Sequence, residues 1–286
     1  MAEGPSGPAG VPAHQVLSDA DDPRLRPYLH LNDPALRRER EAAEGLFVVE
    51  GRLALEAVLS SPLEVPVLSV LVLRSKLHLL AKLAGGPPPG AVPVYAVEDE
   101  VMKAVAGYPV HRGVLAVAAR PAPRAPEEVL AGACQRLVLA VEGVNDQENL
   151  GSLFRNAAAF GAGAVLMDPR CADPFYRRTV RVSLGHAARV PSCRVEPWPA
   201  GLRVLDRGGF RLVALTPSAE APDVRVVARR LLGQKVAVVV GAEGPGLSPE
   251  VLGLGERARI AMASGVDSLN VATAAAVAMH CLSSPA

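Results

Sequence analysis

Hydrophobic and polar positions follow two periods along this chain. In its second half, apolar runs at 137–142, 164–167, 211–216 and 235–240 are four to six residues long and rich in valine, leucine and alanine. Such runs predict strands buried on both faces of a parallel sheet. Between the first two, Leu150, Leu153, Phe154, Ala157 and Ala158 recur at the i, i+3, i+4, i+7, i+8 spacing of a buried helix face. Asn149 stands where that helix wants an N-cap, and Gly161 where it should stop. Residues 137–167 are therefore expected to form a βαβ unit. Further helices are expected over 201–209, 223–230 and 271–282.

The first half alternates in the same way on a smaller scale. A strand and an amphipathic helix are expected within 45–59, strands at 68–73, 92–97 and 113–119, and helices at 77–83 and 98–106. A helical pattern precedes them from about residue 21, with Arg24, Arg26, Arg37, Arg38 and Arg40 set among leucines. The start of the chain is rich in glycine, proline and alanine without periodicity, and reads as a disordered tail. The proline-rich run at 121–126 reads as a stiff linker. The expected organisation is thus a tail over 1–20, a small α/β domain over 21–120, a linker over 121–127 and a second α/β domain over 128–286.

Composition narrows the chemistry. With 286 residues, half of them hydrophobic, the chain can fill two cores. A net charge of +1 gives no global field to recruit nucleic acid, so any such role needs local density. Residues 168–191 supply it: Arg170, Arg177, Arg178, Arg181 and Arg189 stand around Phe175 and Tyr176. Arginine interleaved with aromatics grips phosphates and stacks bases, although any one of these arginines suits a solvated helix face equally well. The cysteines (134, 171, 193 and 281) form no CxxC pair and have no histidine at zinc-ligand spacing, so small buried thiols and no metal site are expected. No apolar run approaches membrane-spanning length and no leader pattern opens the chain, so a soluble, cytoplasmic protein is expected.

Three stretches carry candidate chemistry. The first is the βαβ unit, whose polar turn at 145–149 runs into a helix with Arg155 as its only charge between Leu150 and Phe160. The second is Gly-Ala-Glu-Gly-Pro-Gly at 241–246, after the strand at 235–240. Its glycines lack the spacing and the early position of a dinucleotide fingerprint, and taken alone such a turn is more often structural. The third is Ile-Ala-Met-Ala-Ser-Gly-Val-Asp-Ser-Leu-Asn at 260–270, opening the alanine-rich final helix.

In this order the three stretches resemble the signature motifs of the SPOUT RNA methyltransferases, in the SpoU/TrmH branch. Phe-Val-Val-Glu-Gly at 47–51 and His-Arg-Gly-Val-Leu-Ala at 111–116 resemble the N-terminal substrate-binding domain that many members carry. The resemblance implies an α/β fold with a parallel sheet and a deep trefoil knot in the C-terminal domain, plus the smaller RNA-binding domain. It implies a homodimer that binds S-adenosylmethionine and methylates a ribose 2′-hydroxyl in ribosomal or transfer RNA, ribosomal RNA being slightly preferred. Residue by residue, it places Arg155, Asn149, Glu243, Ser268 and Asn270 in catalysis. Gly241, Ile260 and Leu269, with Leu215 and Thr216, fall at the cofactor, and Arg177, Arg178, Arg181 and Arg112 at RNA. For Glu50, Arg52 and His111, contact with RNA and simple strand capping are equally compatible. The sequence departs from the motifs at Ala261, where the family has proline, and at Gln147, where it commonly has proline after aspartate. Neither is a residue that the chemistry uses. The competing reading is an RNA-binding protein of the same fold that has lost catalysis.

Overall fold

The computed structural model describes residues 11–86, 88–132 and 136–283; Cys134, residues 1–10 and the side chains of Arg37 and Arg38 lie outside the described part. The chain divides into two units, 1–121 with 175–189, and 122–174 with 190–286.

In the first unit, strand β1 (Gln15–Val16) is followed by helix α1 (Pro34–Glu44), β2 (Leu46–Glu50), α2 (Arg52–Leu59), β3 (Val67–Leu73), β4 (Val94–Val97), α3 (Asp99–Ala106) and β5 (Val114–Ala119). Residues 15–17, expected within a disordered tail, join the folded unit. Gln15 and Val16 pair in parallel with Tyr95 and Ala96, and Leu17 is buried. The helix expected at 77–83 is a 3-10 run, Arg74–Lys82. The five strands lie in the order β1-β4-β3-β5-β2, with β5 antiparallel to both β3 and β2. Side chains alternate along each strand. Phe47 and Val49 enter one core with Val70, Val72 and α2, while Val48 enters the other with Leu71, Val117 and Met102.

The chain enters the second unit through α4 (Pro126–Ala131), a helix that begins inside the stretch expected as a linker. Pro126 suits its first turn, and Glu128 reaches back to the backbone N–H of Ala125. There follow β6 (Leu137–Glu142), α5 (Gln147–Ala159) and β7 (Ala164–Met167), the βαβ unit that the periodicity predicts. Gly161, at φ 68°, ends α5 in the left-handed region as expected.

The chain then returns to the first unit for α6 (Arg177–Val182), a departure from the expected boundary. Packing explains it. Val180 and Ala188 are fully buried against the core of β2, β3 and α2, and the Phe175 ring packs at 5.1 Å against that of Phe47, tilted by 49°. A Cβ at Gly185 would stand 2.6 Å from the carbonyl oxygen of Ala54, so only glycine lets this segment lie against α2. Polar chemistry adds to it. Glu50, at the end of β2 with a side chain only 7% exposed, receives Arg177 Nη1 at 2.5 Å and has Arg181 at 3.8 Å. Arg177 also donates to the Tyr108 hydroxyl at 2.6 Å and stacks on that ring. Burial pushes the Tyr108 hydroxyl well above its usual range, so it stays protonated and donates to Glu50. Glu50→Ala would strand a guanidinium that is 18% exposed. Breaking such a pair costs about 3 kcal/mol; calorimetry should register that loss as an earlier unfolding transition, and an unchanged one would refute the clasp.

Back in the second unit come β8 (Ser192–Arg194), α7 (Arg203–Arg207), β9 (Phe210–Leu215), α8 (Val224–Arg230), β10 (Lys235–Gly241), α9 (Pro249–Leu252), β11 (Glu256–Ala258) and α10 (Val271–Leu282). Six strands form an all-parallel sheet in the order β11-β9-β10-β6-β7-β8. The edge strands β8 and β11 are three residues each, too short to show a period in the sequence. Among the described residues no helix is long and apolar enough to cross a membrane.

Cys171 and Cys193 are buried in this unit, and burial raises their thiols to about 11 and about 12. Both should resist iodoacetamide in the native protein at neutral pH, since the thiolate is the reactive form. Peptide mass spectrometry before and after unfolding checks this, and rapid native labelling of either would contradict their burial.

Candidate active site

The carboxyl ends of parallel strands, where the backbone turns out of the sheet, are where α/β folds place ligands. At this edge β6 runs into α5. Asp146, not Asn149, is the N-cap of α5: its Oδ1 accepts the backbone N–H groups of Glu148 at 3.0 Å and Asn149 at 2.8 Å. The local rule admits either residue, and the earlier one satisfies two of the orphan donors. Asn149 thereby becomes the third residue of the helix, with its side chain released from capping.

That side chain is met from the far end of the chain. Asn270 caps α10 through Oδ1, which accepts the N–H groups of Ala272 at 3.0 Å and Thr273 at 3.2 Å. Its Nδ2 donates to Asn149 Oδ1 at 2.7 Å and to Glu243 Oε1 at 2.8 Å. One side chain thus ties together the three stretches that the sequence singles out. Both amide protons of Asn270 are committed, so it can only hold its neighbours. The amide group of Asn149 and the second oxygen of Glu243 have no partner among the described residues, and these are the groups left to face a substrate. A further bond, from Asn156 Nδ2 to the carbonyl of Ala272 at 2.8 Å, locks α5 to the first turn of α10.

Beside this knot of side chains lies a cleft of about 510 Å³, at the ends of β9, β10 and β11. Leu215, Thr216, Gly241, Ile260 and Leu269, the five residues expected at a cofactor, all line it. Glu243, Ser268 and Asn270 line it as well. Met262 is a lining residue that the sequence reading missed; a lone methionine in an irregular segment carries no signal of its own. The glycine loop folds back on itself through an Ala242–Gly246 bridge. A Cβ at Gly241 would stand 2.3 Å from the backbone of Gly246, so this glycine is needed by the turn.

The donor set suits a nucleoside with an apolar appendage. Leu215, Ile260, Met262, Leu269 and Val271 give the cleft apolar walls. Among the described residues, the backbone N–H and C=O groups of Ile260 and Leu269 have no hydrogen-bond partner in the chain. A free donor and acceptor between apolar side chains match the polar edge and flat faces of a purine.

The remaining expected residues are placed differently. Arg155 is exposed on α5, does not line the cleft, and makes no hydrogen bond or ion pair among the described residues. Arg112, Arg177, Arg178 and Arg181 belong to the first unit. Arg112 and Arg178 are exposed, and a Cβ at Gly51 would stand 2.8 Å from Arg112 Cδ. Arg177 is turned inward onto Glu50, which also answers the open question about Glu50: it is a buried anchor. The arginine–aromatic pattern at 175–181 therefore mixes an internal clasp with exposed charge, two uses that composition alone cannot separate.

A family model, the SpoU rRNA methylase family, matches residues 136–280. An uncharacterised tRNA/rRNA methyltransferase of Mycobacterium tuberculosis is 42% identical over 267 residues, covering 93% of this chain and 90% of its own. A 23S rRNA (guanosine-2′-O-)-methyltransferase of Vibrio vulnificus is 32% identical over 176 residues, 59% of this chain and 68% of its own. Among solved structures, an rRNA methyltransferase of Sinorhizobium meliloti with bound AdoMet aligns over 94% of this chain and 97% of its own, with a TM-score of 0.73 at 22% identity. At that identity the likeness speaks for the fold. The family match spans α5, the glycine loop and the start of α10, the same three pieces that Asn270 binds together, and the chain belongs to the SpoU rRNA methylase family.

Proposed function

We propose that this chain is an S-adenosylmethionine-dependent RNA methyltransferase acting on a ribose 2′-hydroxyl, with ribosomal RNA slightly favoured over transfer RNA. The observation that carries the reading is the Asn149–Asn270–Glu243 junction at the rim of a cleft whose free backbone groups suit a purine. The name of the Vibrio vulnificus relative, a 2′-O-methyltransferase, supports the choice of ribose, and the AdoMet-bound structural neighbour supports the cofactor.

In this reading the backbone groups of Ile260 and Leu269 hold the adenine, and Leu215, Thr216 and Gly241 close the cleft around the nucleoside. The cofactor, when bound, supplies an electrophilic methyl group on a sulfonium. Everything else falls to the chain. A ribose hydroxyl is a poor nucleophile, so its developing negative charge needs a partner. Arg155, a guanidinium without a partner among the described residues, is assigned that task, stabilising the alkoxide or acting on the hydroxyl with help from an RNA phosphate. The free oxygen of Glu243, the amide of Asn149 and the hydroxyl of Ser268 orient the ribose, where positioning supplies much of the rate. Arg112, Arg178 and Arg181 are assigned to RNA phosphates. We further place the enzyme in the cytoplasm as a homodimer.

The test uses purified protein, S-adenosylmethionine labelled in its methyl group, and total bacterial RNA. Label should enter one RNA species and survive as a 2′-O-methylated nucleoside. S-adenosylmethionine should also raise the melting temperature, by an amount that grows with its concentration, while NAD should not. Label found only on a base would overturn the assignment to ribose. RNA binding with neither label nor a thermal shift would favour the catalytically silent alternative.

A further inference from the structure

Glu142 ends β6 and is one of the few carboxylates buried in the second unit, at 4% exposure. Nothing in the proposed chemistry uses it. Its Oε1 accepts the indole N–H of Trp198 at 2.9 Å and the hydroxyl of Ser248 at 2.8 Å, and its Oε2 accepts the backbone N–H of Ser248 at 2.8 Å. Arg170 approaches Oε1 at 3.7 Å while holding Asp168 at the end of β7. Burial alone would raise the pKa of Asp168, but the hydrogen bonds from Arg170 outweigh it and keep that carboxyl below the usual range. The end of β6 is thus tied to three segments that follow β7, β8 and β10.

The tie to Ser248 bears on the cleft. Ser248 closes the glycine loop that starts at Gly241, and it is also the N-cap of α9. The loop between is held at its start by the β10 ladder, where Gly241 pairs with Glu142, and at its far end by the two bonds from Ser248 to the same Glu142. Between these points stand Gly244 and Gly246, both at positive φ with open space around them, and the exposed Glu243. Apart from the Ala242–Gly246 bridge, a segment so rich in glycine has little stiffness of its own, so its shape depends largely on how its ends are fixed. Glu142 serves at both ends, its backbone in the ladder at the start and its buried carboxylate at Ser248.

We propose that Glu142 is a positioning residue, which sets the glycine loop in the shape that closes the cleft and presents Glu243 to Asn270. It touches neither substrate nor cofactor. The expected consequence for cofactor affinity rests on the S-adenosylmethionine reading above, and the loop-fixing role does not.

Glu142→Gln is the sharpest variant. Gln keeps one acceptor and adds an NH2, so whichever way it turns, either the Ser248 N–H or the Trp198 N–H meets a donor. Two measurements follow. In ligand-free protein, hydrogen exchange at the hydrogen-bonded amides of residues 246 and 248 should quicken at least about tenfold in the variant, with β9 amides unchanged. The Kd for S-adenosylmethionine, by calorimetry, should rise about tenfold, a loss of about 1.4 kcal/mol. Should Glu142→Gln not fold, Ser248→Ala removes the hydroxyl contact and keeps the N–H, and it should shift both readouts the same way by less. Trp198→Phe leaves Ser248 bonded and should spare loop exchange. Unchanged exchange at the amides of residues 246 and 248 in a folded Glu142→Gln or Ser248→Ala would overturn the proposal. So would faster exchange spread evenly over the second unit, which is what a merely structural carboxylate gives. If the wild type binds no S-adenosylmethionine, the cofactor reading fails, and the exchange measurement still judges Glu142.

Discussion

Arg155→Ala should lower methyl transfer by about 10²- to 10³-fold, the range seen when one donor aimed at a developing oxyanion is removed. It should do so without weakening cofactor binding or folding. Arg155 is exposed, lies outside the cleft, and has no partner among the described residues, so its loss breaks nothing in the resting protein. Substitutions at such positions usually change stability by less than about 0.5 kcal/mol. An arginine that serves only the fold would show the opposite pattern, a lower melting temperature at undiminished rate. Single-turnover rates under saturating cofactor and RNA, beside a thermal melt, separate the two. Arg155→Lys refines the result. Lysine keeps the charge but not the planar fork, so substantial rescue would point to simple charge stabilisation, and none to a geometric demand.

Asn270→Asp should be nearly as damaging, for a different reason. The variant keeps an oxygen for the N–H groups of Ala272 and Thr273, so α10 stays capped. What it loses is the donor. A second carboxylate then faces Glu243 Oε1 and Asn149 Oδ1 at distances where hydrogen bonds of 2.8 and 2.7 Å stood. Two carboxylates this close do not both ionise, and one is forced to hold a proton or move away. A loss of about 10²-fold in rate is expected at neutral pH if orientation at the cleft rim matters as argued. Because the pair's shared proton is held more tightly than that of an isolated carboxylate, the ratio of variant to wild-type rate should rise as pH falls and an O–H takes the place of the lost N–H. Asn270→Ala lacks this recovery and also loses the cap, which is worth about 1 kcal/mol. A pH-independent ratio in Asn270→Asp would count against the junction.

The sequence was legible where period and chemistry coincide. The βαβ unit at 137–167 and the final helix follow from apolar spacing, and the cleft residues from motif order. Three things were hidden. Capping of α5 was expected at Asn149, and only geometry shows that Asp146 takes the backbone and releases Asn149 to meet Asn270. Strands β8 and β11 are too short for a period, yet they complete the edges of the sheet. The basic stretch at 175–189 reads as a surface because arginine dominates it, while its burial rests on a few small and apolar positions, Val180, Gly185 and Ala188, and on a carboxylate, Glu50, more than a hundred residues away in the chain.

That last arrangement has a bearing on how the chain is made and reshuffled. The first unit is not finished when its strands have left the ribosome. Phe47 and Glu50 wait for Phe175 and Arg177, so the core on that side of the sheet closes only after the first part of the second unit has been synthesised. A piece cut at the proline-rich run keeps every strand of the five-stranded sheet and still lacks its cover. The complementary piece carries residues 175–189 with Phe175, Val180 and Ala188 left uncovered. Swapping first units between relatives at the proline-rich run would give chimaeras prone to aggregate, whereas exchanges that carry residues 175–189 with the first unit would respect the seam along which the molecule is built.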